Sequence, residues 1–76
     1  MKINQYILLL NKIFEKKISL KDNLEKIGFD SLKTLEIMAL NDKHFKNIKI
    51  SPDKLSKCKT VNDLVKLYGK KITKQA

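Results

Sequence analysis

Arginine and tryptophan do not occur among the 76 residues of this chain, cysteine and proline occur once each, and glycine twice. The lone cysteine, Cys58, cannot close an internal disulfide, so a reducing, cytoplasmic setting is expected. So little glycine and proline leaves too few turn residues for a many-stranded sandwich. No segment approaches the roughly 20 apolar residues needed to span a bilayer. The apolar run Tyr6–Leu10 falls short of the ~7–15 residues of a signal-peptide core, so no leader is expected. Internal repeats and low-complexity stretches are also missing.

What the chain has in excess is lysine. All seventeen basic residues are lysines, set against eight carboxylates, for a formal net charge of +9. That balance admits a small basic helical module that binds nucleic acid or an anionic membrane. Arginine, however, is the residue suited to bidentate phosphate and guanine recognition, and its absence weakens that reading. Nine isoleucines and six asparagines accompany the lysines, a bias of residue usage that accounts for much of the charge. No specific nucleic-acid partner is expected.

A chain this short buries only about 60% of its unfolded surface, so one thin core and one domain, residues 1–76, are expected. A deep catalytic cleft is hard to build from it, which favours a module acted on by larger partners. Ile3, Tyr6, Ile7, Leu10, Ile13 and Phe14 recur at helical steps, predicting a first helix from Ile3 to Glu15, with Leu8 and Leu9 widening its stripe. A long connection runs from Lys16 to Asp30. Ile18, Leu20, Leu24, Ile27 and Phe29 punctuate it too often for a solvated linker, so it should fold back onto the core.

The second helix should run from Ser31 to Phe45 with two apolar faces. One holds Thr34, Ile37, Met38 and Phe45, interrupted by Asn41; the other holds Leu32, Leu35 and Ala39. After the extended Ile48-Lys49-Ile50, Ser51-Pro52-Asp53 reads as the capped start of a short third helix ending near Lys57. Thr60-Val61-Asn62-Asp63 is a capping-box pattern with aspartate in the fourth position. It opens a fourth helix with Val61, Leu64, Val65 and Tyr68 inward, and Gly69 stops it. The fold class is all-α: a small four-helix bundle with three longer helices, a short third helix and a long first loop. Its core spans about residues 3–69, and the 70–76 end reads as frayed.

The stretch that carries chemistry is Gly28-Phe29-Asp30-Ser31-Leu32. It sets a hydroxyl at a helix start, where a phosphate ester would face free backbone amides and the positive end of the helix dipole. Gly28 permits a tight turn or the close approach of another surface, and Asp30 can orient the serine or offer a contact to a metal or a cationic group of a modifying enzyme. The same residues also read as an ordinary helix cap, and the pentapeptide alone does not separate the two. No metal-ligand set and no catalytic constellation is evident. The single His44 lies about three and a half turns along the helix from Ser31.

Taken together, these residues resemble the acyl and peptidyl carrier protein family. The resemblance rests on Leu24, Ile27-Gly28-Phe29-Asp30-Ser31-Leu32, Thr34-Leu35-Glu36-Ile37, Phe45, Ile50-Ser51-Pro52-Asp53 and Thr60-Val61, from about Ile3 to Tyr68. It implies that Ser31 is esterified with 4′-phosphopantetheine from coenzyme A by a phosphopantetheinyl transferase, with Asp30 as its motif neighbour. The arm's thiol then carries an acyl or aminoacyl group as a thioester for acyl-transfer enzymes of lipid, polyketide, peptide or specialised biosynthesis. The chain is then a monomeric carrier and not an enzyme. Leu32, Lys33, Leu35, Glu36, Ala39 and Lys43 fall where such a carrier meets its partners, although Leu32, Leu35 and Ala39 also fit plain core or scattered surface.

One departure matters. The family is typically acidic along the second helix, whereas this chain sets Lys33, Lys43 and Lys46 against Glu36 and Asp42. Partner enzymes with acidic docking surfaces are therefore expected. Cys58 reads as packing rather than a reactive thiol, His44 as solvated, and Tyr68 as core with its hydroxyl reaching water. A carrier-like subunit that is never modified and serves only in interactions is the remaining alternative.

Overall fold

Ile3–Phe14 forms the first helix, α1, of the computed structural model, which describes residues 1–73. Ile3, Tyr6, Leu10 and Phe14 are buried along one face at three- and four-residue steps. Leu9 is half-buried and widens that face, but Leu8 stands on the far side, 61% exposed. The helix ends where Glu15 turns left-handed, φ 56°, and returns its N–H to the carbonyl of Asn11. The Asn11 side chain then accepts the Ile18 N–H at 2.9 Å, which draws the adjoining loop back over the helix end.

The loop from 15 to 30 is packed by its own apolar residues, as its composition predicts. Ile18 and Leu24 are buried, and Leu20, Ile27 and Phe29 pack against the core. Its backbone is also tied down from a distance. The carbonyls of Asp22 and Leu20 accept the Val61 and Asn62 amides at 3.0 Å each, and the Leu24 amide donates to Lys59 at 2.8 Å. The first free amides of the last helix are thus satisfied by the loop, leaving no buried backbone donor there unpaired.

Three further helices complete the fold: α2 (Ser31–His44), α3 (Pro52–Ser56) and α4 (Val61–Lys66). Among the described residues no strand forms, and no helix is long and apolar enough to cross a membrane. Ser51 caps α3 with Pro52 in its first turn, and Thr60 and Asp63 complete their capping box with bonds of 3.2 Å in both directions. The all-α expectation holds, with one change of proportion. α4 is six residues long, so two helices are long and two short. Beyond Lys66, the Leu67 and Tyr68 amides bond three residues back instead of four, and Gly69 at φ 56° redirects the chain before it would have stopped an α-helix.

The end expected to fray from Lys70 does not do so as far as it is described. Gly69–Lys71 forms a 3₁₀ turn and Ile72 is buried. Thr73 pairs with Lys2 in an isolated parallel bridge, its carbonyl accepting from Ile3 at 2.8 Å and its amide donating to Met1 at 2.9 Å. Hydrophobic burial of Ile72 and these bonds outweigh the entropy of ordering the segment. Residues 74–76, also assigned to that tail, lie outside the described residues.

The core centres on Tyr6, Leu10, Leu24, Ile37, Leu55 and Leu64, all at most 1% exposed. Tyr6, Phe45 and Tyr68 form an edge-to-face and tilted cluster with ring centroids 4.7–6.3 Å apart. The Tyr68 hydroxyl does not reach water, contrary to the sequence expectation. It accepts from the Tyr6 hydroxyl at 3.0 Å and donates to the Asn41 side-chain oxygen. Asn41, which interrupts the apolar stripe of α2, is buried as the polar end of this chain.

Candidate functional site

Gly28 opens the site. Its φ of +95° is a conformation that side-chain-bearing residues rarely adopt, and a Cβ there would meet nothing within 4 Å, so its need is conformational and not steric. The turn closes with Gly28 N–H on Glu25 at 3.2 Å and Phe29 N–H on Leu24 at 2.9 Å. Asp30 then stands extended as the N-cap of α2, its carboxylate accepting the Lys33 amide at 2.9 Å. The cap belongs to Asp30, and this leaves the neighbouring hydroxyl free of that task.

Ser31 occupies the first helical position and is exposed. Among the described residues, no group hydrogen-bonds its hydroxyl, and none accepts from its amide or from that of Leu32. The 14 residues of α2 stand behind these amides. An anion here gains about 0.3–1 kcal/mol from the helix dipole in an exposed setting. His44 sits in the last turn of α2, about 20 Å away along the axis at 1.5 Å per residue. Among the described residues no side chain accepts a hydrogen bond from the Ser31 hydroxyl, and the adjacent Asp30 carboxylate is engaged by the Lys33 amide.

Beside Ser31 lies an open groove of about 610 Å³. Phe29, Leu35 and Met38 line one wall, and Pro52, Asp53 and Ser56 line the other. The second wall was not read from the sequence, where Ser51-Pro52-Asp53 signals only a helix start. Its trace was the spacing of Asp53 and Ser56, three apart and therefore on one face of a short helix. An elongated, partly apolar group attached to Ser31 fits this arrangement: a free hydroxyl, unpaired amides for its phosphate, and an apolar trough for the rest of its length.

The other expected site residues divide. Leu32 and Leu35 are 59% and 63% exposed, and Ala39 is exposed on the same face of α2, so the second apolar face is surface and not core. Lys43 is exposed as well. Lys33 is not a free lysine: its ammonium donates to the Ile13 carbonyl at 2.8 Å and pairs with Glu36 at 3.5 Å, tying the start of α2 to the end of α1. Its long side chain reaches across because the last carbonyls of α1 lack partners. Cys58 is half-buried, and its thiol donates to the Lys54 carbonyl at 3.5 Å. Burial, and after it the Asp63 charge, pushes that thiol's pKa up and makes it a poor nucleophile. Among the described residues no cluster of acidic, histidine or cysteine side chains could hold a metal.

Comparison with known proteins agrees with this geometry. The family model described as the phosphopantetheine attachment site matches residues 5–68, which takes in the serine turn, α2, α3, α4 and all of α1 but its first two residues. Neither the curated proteins nor the solved structures contain a match. A family match over most of the chain, on a helical fold that leaves a serine free at a helix start, has one reading: the chain belongs to the phosphopantetheine attachment-site family and is a carrier domain for covalently held 4′-phosphopantetheine.

Proposed function

We propose that Ser31 is the attachment residue and that the domain presents an acyl or aminoacyl group, held as a thioester on the arm's thiol, to separate enzymes. The observation that carries this is the Ser31 hydroxyl itself, exposed, unpaired and at the first turn of α2 beside an apolar groove. Attachment forms a bond from Ser31 Oγ to the phosphopantetheinyl phosphorus of coenzyme A and breaks the phosphoanhydride bond, so that the nucleotide half leaves with its phosphate. The serine proton passes to a base on the phosphopantetheinyl transferase, since among the described residues no group accepts from the Ser31 hydroxyl and the neighbouring Asp30 carboxylate is held by the Lys33 amide.

Within the domain, the Ser31 and Leu32 amides stabilise the phosphodiester charge, and Asp30 keeps the helix start rigid through its cap on Lys33. Phe29, Leu35 and Met38 shield the apolar part of the arm. Leu32, Leu35 and Ala39 form the exposed apolar patch that a partner enzyme covers, flanked by Glu36 and Lys43. The domain works as a monomer in the cytoplasm, in keeping with its lone half-buried thiol.

Intact mass after incubation with coenzyme A and a broad-specificity phosphopantetheinyl transferase tests the assignment. The wild type gains one phosphopantetheine, and Ser31→Ala gains none while keeping its helical circular dichroism. An unmodified wild type, under conditions that fully modify a control carrier, refutes the carrier reading. Modification of Ser19, Ser51 or Ser56 instead refutes the site.

A further inference from the structure

The chain's positive charge is unevenly placed. From Phe45 onward, nine lysines face only Asp53 and Asp63, which is +7 of the total +9; the residues before it hold eight lysines and six carboxylates. The α2 face beside Ser31 is close to neutral, because Lys33 is pinned to α1 and Glu36, and Lys43 adjoins Asp42. The surplus sits on α3, on α4 and on the segments beside them.

Lys54 and Lys57, from α3 and its end, and Lys66, from the last turn of α4, line one open groove of about 380 Å³ with half-buried Cys58 and Leu67 at its floor. All three lysines are exposed, and the sole ion pair among the described residues is Lys33 with Glu36. Asp63, the acid of this groove, commits its carboxylate to the Lys59 and Thr60 amides at 3.1 and 3.2 Å. α3 divides the two grooves. Asp53 and Ser56 face the groove of Ser31, Lys54 and Lys57 face the basic one, and Leu55 is buried beneath. An enzyme that covers Ser31 and extends past α3 therefore meets three unpaired lysines.

We propose that Lys54, Lys57 and Lys66 form a docking ridge for an acidic protein face, borne by the enzymes that act on the arm at Ser31. This rests on the carrier reading and adds the partner's chemistry and the place of contact. A protein face fits better than a polyphosphate. The ridge has no arginine for bidentate phosphate contact and no aromatic residue for base stacking, whereas its apolar floor suits aspartates and glutamates around an apolar centre. Complementary charge of this kind raises encounter rates and rejects partners of the wrong sign.

The test monitors attachment to Ser31 by intact mass over a salt series, using the full chain, coenzyme A and two phosphopantetheinyl transferases whose carrier-facing surfaces are acidic and basic. With the acidic transferase, wild-type kcat/KM falls on the order of tenfold from low to high salt, as steered association does. Lys54→Glu/Lys57→Glu/Lys66→Glu abolishes that dependence, lowers the low-salt value by a similar factor, and raises it with the basic transferase. The glutamine triple variant falls between, and serves alone if circular dichroism shows the glutamate variant unfolded. Lys43→Glu/Lys46→Glu has the smaller effect. Salt-independent attachment, or a Lys43 and Lys46 pair that matters as much as the ridge, overturns the docking assignment and leaves the carrier reading standing. No attachment by either transferase overturns both. Tight binding of a single-stranded DNA oligonucleotide or of phosphatidylglycerol vesicles at physiological salt, lost in the ridge variants, reassigns the ridge to a polyanion and overturns the proposal.

Discussion

Tyr68→Phe removes one oxygen from the interior, and the hydroxyl chain sets the cost. Tyr68 is the middle member: it accepts from Tyr6 at 3.0 Å and donates to Asn41, and all three residues are at most 3% exposed. Its loss orphans the Tyr6 donor and the Asn41 oxygen together. Each orphaned buried group costs about 1–3 kcal/mol, so the two together predict a loss of roughly 2–6 kcal/mol. Tyr6→Phe removes only the terminal donor and orphans nothing, so about 0.5–1.5 kcal/mol is expected. A domain of this size holds on the order of 4–11 kcal/mol in total, so the two variants separate clearly in urea unfolding monitored by circular dichroism.

The same cluster sets alkaline stability. Burial, then the neighbouring Tyr68, pushes the Tyr6 phenol far above the ordinary 10.0, and burial raises Tyr68 too. Their contribution is whole below pH 10 and is lost as pH rises above it, because the unfolded chain releases protons that the folded one retains. Tyr6 steepens that fall by about 1.4 kcal/mol per pH unit and Tyr68 adds to it in the same direction, so each phenylalanine variant should flatten it. If Tyr6→Phe costs as much as Tyr68→Phe, or the alkaline slope ignores both, the hydroxyl chain is not the stabilising unit described.

Two further perturbations address the frame of the site. Gly28→Ala, at φ +95° with open space around it, should lower stability by about 1–2 kcal/mol from backbone strain alone, as read by urea midpoint; an unchanged midpoint contradicts the turn. Hydrogen bonds from the Lys59 and Thr60 amides hold the Asp63 carboxyl below its ordinary 3.8, so its contribution is present above that pH and lost as pH falls through the lowered value. Asp63→Asn should therefore show less acid-induced loss than wild type in a pH-dependent melting series, and equal loss would remove Asp63 as the cause.

The turn that sets Ser31 at a helix start was legible because its determinants are contiguous. Gly28 sets the turn, Asp30 the cap and Ser31 the first helical position, all within four residues. The start of α3 and the box of α4 were legible for the same reason. What escaped depends on contacts between segments distant in the chain. Lys33 reads as a surface charge until the carbonyl of Ile13 is found beside it. Tyr68 reads as a half-wet phenol until Tyr6 and Asn41 enclose its oxygen. Ile72 and Thr73 lack any local signal for order, because their partners are Met1, Lys2 and Ile3. The length of α4 was overread because the apolar spacing through Tyr68 is shared by an α-helix and by the tighter turns beyond Lys66.

The strap from the first loop to α4 bears on how the chain assembles. Isolated helices shorter than about 12–15 residues are marginal in water, and α4 has six. Its first amides are bonded to Asp22 and Leu20, which lie on the other side of α2 in the chain. α4 therefore gains partners for its first amides only once the loop is in place, and the Leu20 and Asp22 carbonyls of the loop gain theirs only once α4 arrives. Closing that circuit commits the chain across more than half its length in one step, a non-local event of the kind that slows folding. The segment that aims Ser31 and the last helix thus order together, and neither persists as a separate unit.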